Sequence, residues 1–235
     1  MDRQESYSIA LAGNPNSGKS TLFNVLTGAR QHIGNYPGVT VEKKEGAFRT
    51  DSAEFNVIDL PGAYGLSPNS PEEVVARDEL VGGALDLVVD VVDASNLERN
   101  LYFTVQLLEM DVPMVIALNM VDAARGMGIR IDCDKLSALL GVPVVETVGH
   151  RSEGLDQLKD AIVDACTKPT QAGFSWMGNR GDSHFRQCVK KIVAVLESEG
   201  GAVEGVPVEW TAVKLLEKDR TIRSALPEKS LARID

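Results

Sequence analysis

Gly13-Asn14-Pro15-Asn16-Ser17-Gly18-Lys19-Ser20 meets every constrained position of the pattern G-x-x-x-x-G-K-[ST]. The flanks agree with it. Ser8-Ile9-Ala10-Leu11-Ala12 reads as a short buried strand, and Thr21-Leu22-Phe23-Asn24-Val25-Leu26-Thr27 as a helix with an apolar face. Strand, glycine loop and helix in that order distinguish a phosphate-binding loop from a glycine turn ahead of an ordinary helix.

The residue types explain the chemistry. Glycine has no Cβ, so the backbone can curl round an anion and point its N–H groups inward. The helix N-terminus adds the positive end of its dipole. Lys19 supplies a mobile charge for the outer phosphates, and the Ser20 hydroxyl suits Mg²⁺.

Composition narrows the class. A chain of 235 residues forms one large domain, or one domain with a smaller appendage. With 43% hydrophobic and 25% charged residues it is expected to be an ordinary globular protein. Acidic residues outnumber basic ones 34 to 24, for a formal net charge of -10. That balance argues against a general nucleic-acid partner. No window approaches ~18 consecutive apolar residues, so no membrane span is expected. The start, Met1-Asp2-Arg3-Gln4-Glu5, lacks the apolar core of a signal peptide. Cys133, Cys166 and Cys188 form no C-x-x-C pair and show no metal spacing with His32, His150 and His184, which fits a reducing, cytosolic setting.

Apolar runs alternate with helical patterns as far as residue 167. Strands are expected at Phe55–Asp59, Leu85–Asp93, Pro113–Asn119 and Val142–Glu146, and helices at Asn100–Met110, Cys133–Leu140 and Leu155–Ala165, with Asp132 as an N-cap. The alternation predicts an α/β fold with a mostly parallel sheet flanked by helices. Lys168 to Asp182 has the glycine and proline content of a linker. Two helical stretches follow, Phe185–Glu197 and Val208–Asp219. The expected organisation is a domain over 1–167, a linker over 168–182 and a small all-α domain over 183–235.

Three further signals refine the nucleotide. Asn119-Met120-Val121-Asp122 follows the Pro113–Leu118 strand as N-x-x-D. Guanine presents N1–H and N2–H₂ side by side, and one carboxylate, Asp122, can accept from both. Asn119 would tie this loop to the phosphate loop. Met120 can cover the base plane with its thioether chain; the plainer alternative packs it in the core. Asp59-Leu60-Pro61-Gly62 gives D-x-x-G, with Asp59 holding Mg²⁺ through water and the Gly62 N–H meeting the γ-phosphate. The segment Ile33 to Glu42, with Gly34, Pro37 and Gly38, reads as a loop in which Thr40 completes the Mg²⁺ shell.

These residues together resemble the cytosolic N-terminal region of the FeoB family, the bacterial ferrous iron transport protein B. The likeness is tightest over Gly13 to Asn24 and over Gly34-Asn35-Tyr36-Pro37-Gly38-Val39-Thr40-Val41-Glu42, and the methionine form of N-x-x-D is also typical. The resemblance implies a P-loop GTPase domain of the Ras-like kind, followed by an incomplete helical domain with guanine-dissociation-inhibitor-like behaviour. GTP and GDP would contact Gly13 to Thr21, Gly38 to Thr40, Asp59 to Gly62, Asn119, Met120 and Asp122. Mg²⁺ would sit on Ser20, Thr40 and Asp59. Asn16 aligns with an asparagine that holds K⁺ in potassium-stimulated relatives, and Lys19, Thr40, Asn16 and Gly62 would serve the reaction. The implied partners are the membrane-embedded iron-transport region of the same full-length protein and, through self-association, a second copy. The full-length protein would lie at the cytoplasmic face of the bacterial inner membrane. No residue cluster here has the spacing of a direct Fe²⁺ site.

Two departures carry expectations. Ala63 stands where Ras-like proteins have a water-orienting glutamine, so hydrolysis is expected to be slow. The last base-contacting loop falls near Val148-Gly149-His150-Arg151, where the backbone N–H of Gly149 or His150 would meet the base O6; Gly149 suggests a mobile loop and fast GDP release. Two alternatives are a ribosome-assembly GTPase of the Era or Der type, which the net charge disfavours, and a GTP-dependent switch with little hydrolysis.

Overall fold

The computed structural model describes residues 5–28, 31–66, 70–82, 85–168, 183–199, 203 and 206–234. The chain divides into two compact units, one of Met1–Leu108 with Val112–Gly173 and one of Glu109–Asp111 with Phe174–Asp235.

The first unit is built on a seven-stranded sheet: β1 (Glu5–Gly13), β2 (Gln31–Asn35), β3 (Glu42–Arg49), β4 (Ala53–Asp59), β5 (Leu87–Asp93), β6 (Met114–Asn119) and β7 (Val144–Glu146). Their order is β2-β3-β4-β1-β5-β6-β7. The β4-β1-β5-β6-β7 portion is parallel, whereas β2 and β3 run antiparallel at one side. Central strands covered on both faces need continuous apolar runs, and β5 and β6 supply them; every residue of β6 is buried. Helices α1 (Lys19–Thr27) and α6 (Leu155–Thr167) close one face. Leu22 and Phe23 from α1, and Leu158 and Ile162 from α6, share a core cluster with Ile9 and Phe55. Phe55 stacks on Phe48 at 4.8 Å.

Helices α2 (Pro71–Gly82), α3 (Leu97–Glu109), α4 (Val121–Gly126) and α5 (Cys133–Leu140) complete this unit's elements. Asp132 caps α5, accepting from the Lys135 N–H at 3.0 Å, as expected.

The structure corrects three expectations of detail. The segment Ile33 to Glu42 is not one loop: β2 and β3 pair from Gln31↔Gly46 to Asn35↔Glu42, leaving a short turn. Both strands lack an apolar run because they are largely exposed or half-buried; the pairing of β3 with β4 and of β2 with β3, not their pattern, makes them strands. Neither α2 nor α4 was anticipated. The second unit holds four helices among the described residues where two were expected: α7 (Ser183–Glu199), α8 (Val208–Leu216), α9 (Arg220–Ala225) and α10 (Glu228–Ile234). The stretch read as reaching Asp219 stops at Leu216. Lys218 takes φ 61, and Asp219 caps α9 by accepting from Thr221 N and Ile222 N. Helix α7 packs on α8 and α10. Glu199 pairs with Lys229 at 2.6 Å and with Arg233, which holds its carboxyl below the usual range. From residue 169 to 182 the expected linker lies outside the described residues. Among the described residues no helix is long and apolar enough to cross a membrane.

Candidate nucleotide site

Gly13 ends β1 and Lys19 opens α1, so the glycine loop links the carboxyl end of a central strand to a helix N-terminus. The glycines are required by space. At Gly13 (φ 146) a Cβ would lie 2.5 Å from the Val91 carbonyl oxygen; at Gly18 (φ 86) it would lie 2.2 Å from Asn119 Nδ2. The loop from Asn14 to Thr21, with Gly62, lines a cleft of about 550 Å³. Asn16 is exposed with φ 66. The Asn14 amide and the Ser17 hydroxyl are buried without a hydrogen-bond partner.

Parallel pairing puts the D-x-x-G segment beside this loop. Leu11 is in register with Asp59, the Leu60 N–H donates to Leu11 O at 3.0 Å, and the Ala63 N–H donates to Gly13 O at 3.3 Å. Gly62 lies against Pro15, where a Cβ would come within 3.1 Å. The Lys19 ammonium donates to Asp59 Oδ1, both groups being buried. Ser20 Oγ is 3.4 Å from Asp59 Oδ2. A hydroxyl and a carboxylate this close are the hard oxygen donors that Mg²⁺ prefers, so these residues fit that ion. The exposed Asn16 amide likewise offers an oxygen that a K⁺ ion accepts. Among the described residues no group of three His, Cys, Asp or Glu has metal-holding geometry, so a cation here would depend on hydroxyl, phosphate and water oxygens as well.

The second half of the site gathers on Asn119, the last residue of β6 and 2% exposed. Its Nδ2 donates to Ser17 O at 2.9 Å, inside the phosphate loop. Its Oδ1 accepts from Gly149 N at 3.0 Å and from Thr147 Oγ1 at 3.3 Å. One side chain thus ties three loops together. Met120 adopts φ 59 and is only partly buried; its methyl lies 3.3 Å from where a Gly18 Cβ would be, so it is no core residue. Asp122 sits in the first turn of α4. Its Oδ2 lies 3.6 Å from His150 Nε2 and 3.7 Å from Arg151 Nη2.

Gly149 differs from the mobile residue that its type suggested. It is buried, packs against Leu22, and its N–H is committed to Asn119. The His150 N–H has no acceptor among the described residues, which leaves it the open donor of that loop. Val148 is buried and pairs with Glu153 in an isolated bridge.

Thr40 is not brought to the others. It is exposed on the turn between β2 and β3, with Gly38 at φ 77 and Val39 40% exposed, and it has no hydrogen bond to Ser20 or Asp59. Ala63 is 1% exposed. Two contacts escaped sequence reasoning. Thr147 was signalled only by standing just past a strand. Gln106 accepts from the Leu66 N–H at 2.6 Å, securing the segment after Gly62, and no motif marks it.

The family model described as Ferrous iron transport protein B matches residues 7–162. The chain belongs to the FeoB family. An Fe(2+) transporter FeoB of Escherichia coli (strain K12) is 54% identical over 162 residues, 67% of this chain but 21% of that protein. A Porphyromonas gingivalis fusion of Fe(2+) transport protein A with FeoB is 42% identical over 228 residues, 94% of this chain and 26% of its own length. The chain therefore spans about a fifth to a quarter of these FeoB relatives. Among solved structures, the cytosolic domain of T. maritima FeoB in apo form has a TM-score of 0.87 at 37% identity, covering 97% of this chain and 86% of that one. An S. thermophilus NFeoB mutant bound to GDP has a TM-score of 0.84 at 41% identity, covering 97% of this chain and 87% of that one. The mostly parallel sheet with flanking helices is thus the P-loop GTPase fold of the FeoB G domain.

Proposed function

We propose that this chain binds GTP and GDP and slowly hydrolyses GTP, as the cytosolic regulatory module of a ferrous iron membrane transporter. One observation carries the reading: Asn119 joins the phosphate loop at Ser17 to the loop at Gly149, with Asp122 three residues on. Phosphates and base are then read by one connected frame. The GDP-bound S. thermophilus relative supports the ligand, and the FeoB relatives support the setting.

In this reading the backbone N–H groups from Gly13 to Ser20 and the α1 dipole bind the phosphates. Lys19 turns from Asp59 to the β- and γ-phosphate oxygens, where its charge offsets the charge that builds up there. Mg²⁺ would be held by Ser20 and, through water, by Asp59, with Thr40 joining when its turn closes, and would offset phosphate charge there. Asp122 accepts from guanine N1–H and N2–H₂. The His150 N–H, not that of Gly149, meets O6, because the latter is already used. Met120 lies on the base face.

Ala63 offers no polar side chain to orient the attacking water, so backbone groups would have to do so, and Asn16 would hold a K⁺ ion whose charge would offset that of the phosphates. The same observation favours a second reading, a GTP-dependent switch with little hydrolysis. Titration with GTP, GDP and ATP, followed by turnover in K⁺ and in Na⁺, tests both. The first reading expects guanine selectivity and faster turnover in K⁺, with the K⁺ effect lost in Asn16→Ala. Equal turnover in the two salts would remove the K⁺ role and leave the switch.

A further inference from the structure

The carboxylate assigned to the base is already engaged by the protein itself. His150 Nε2 and Arg151 Nη2 converge on the same atom, Asp122 Oδ2, at 3.6 and 3.7 Å. Both come from the loop that also carries the O6 donor. That loop holds them in place: Val148 and Glu153 exchange backbone hydrogen bonds at 3.1 and 3.3 Å, the Arg151 N–H donates to Val148 O at 2.9 Å, and Gly149 N is bonded to Asn119. Arg151 is therefore presented to Asp122 by a closed turn and does not sample it from a flexible tether.

Guanine needs both Asp122 oxygens, in plane, for two donors on one edge. A guanidinium beside Oδ2 draws on the same negative charge. We propose that Arg151, with His150 beside it, is an internal competitor for the carboxylate with which Asp122 reads the base. The proposal rests on the base-reading role of Asp122 given above. Glu153 supplies the resting place for the displaced side chain: its Oε1 lies 3.9 Å from Arg151 Nη1. The guanidinium can swing from Asp122 to Glu153 without losing a carboxylate partner, so displacement is easy and the competition mild. Its effect is to weaken GDP retention through an electrostatic contact, while the loop backbone stays fixed by Asn119.

Arg151 is more than half exposed and Asp122 about a quarter, so the pair has the strength of a surface ion pair and salt screens it. The test measures binding and release of fluorescent GDP by wild type, Arg151→Gln and Arg151→Lys, at about 0.05 M and about 0.5 M salt. Arg151→Gln is expected to bind GDP about two- to fivefold tighter at low salt, with that gain shrinking at high salt, and Arg151→Lys to stay near wild type. Unchanged or weaker GDP binding by Arg151→Gln at low salt would overturn the proposal, and weaker binding would mean that the guanidinium contacts the base directly. Inosine diphosphate, which lacks the exocyclic amine, separates the two layers. If wild type does not prefer GDP over it, the base-reading role of Asp122 fails and the competition with it. If that preference holds and Arg151→Gln shows no tightening, the competition alone fails.

Discussion

Asp90 lies at the middle of β5, 1% exposed, and Thr104 Oγ1 donates to its Oδ2 at 2.5 Å. Burial pushes this carboxyl up to about 7, against the smaller opposing effect of the threonine hydrogen bond. The raised value has a definite consequence for stability. Below the ordinary aspartate range the group is protonated in folded and unfolded chains alike, and nothing is lost. As pH climbs from there through 7, the folded state holds a proton that the unfolded state has given up, so stability falls. Above that window the folded chain carries the full cost of a buried charge. Asp90→Asn keeps an acceptor for Thr104 without the charge. It is expected to flatten the fall in urea midpoint between about pH 5 and about pH 8, and to be the more stable variant at the higher pH, by on the order of 2–4 kcal/mol. Equal midpoints for the two proteins at both pH values would show that the folded chain holds the Asp90 carboxylate without penalty. The residue belongs to the scaffold beneath the phosphate loop: Asp90 is in register with Ala12, and the next residue, Val91, presents its carbonyl to Gly13.

Among the elements, the start of α6 is the most tightly specified. Gly154 takes φ 78, and a Cβ there would lie 2.0 Å from the Glu146 carbonyl oxygen at the end of β7. Gly154→Ala is expected to cost about 2–3 kcal/mol, from backbone strain and the displaced strand end, and to lower the melting temperature. A thermal scan with no shift would mean that the turn relaxes freely. Sequence did not single out this glycine, because its contact partner, Glu146, lies on another element. The same distinction runs through the fold. Five parallel strands could be read from their apolar runs, most plainly β5 and β6, which are buried on both faces. The sequence of β3, Glu-Lys-Lys-Glu-Gly-Ala-Phe-Arg, could not, since its strand character comes from its neighbours in the sheet. Helices α9 and α10 have six and seven residues, too few turns for a helical period to show. In the site, the motifs gave Lys19, Asp59, Asn119 and Asp122 because their chemistry fixes their spacing. Thr147 and Gln106 act through backbone and amide contacts that many residue types could make, so spacing does not reveal them.

At the scale of the molecule, every residue assigned to the nucleotide precedes Ser152, and the helical unit supplies none of them. A fragment ending at Lys168 is expected to fold and to titrate GDP with an affinity comparable to that of the whole chain. Loss of binding in a folded fragment would show that the helical unit takes part in the site. Within the first unit, the bonds made by Asn119 span 102 residues to Ser17 and 30 to Gly149. None of them can form until distant stretches of chain have met, and closing such loops costs entropy before any contact returns it. Ligand affinity should accordingly be among the last properties a refolding chain acquires. After dilution from urea, the far-ultraviolet dichroism of helix and sheet is expected to return before fluorescent GDP is bound; simultaneous recovery would show that the seal forms along with the sheet. A chain leaving the ribosome would therefore pass through a folded-looking stage in which it does not yet draw on the cell's guanine nucleotides.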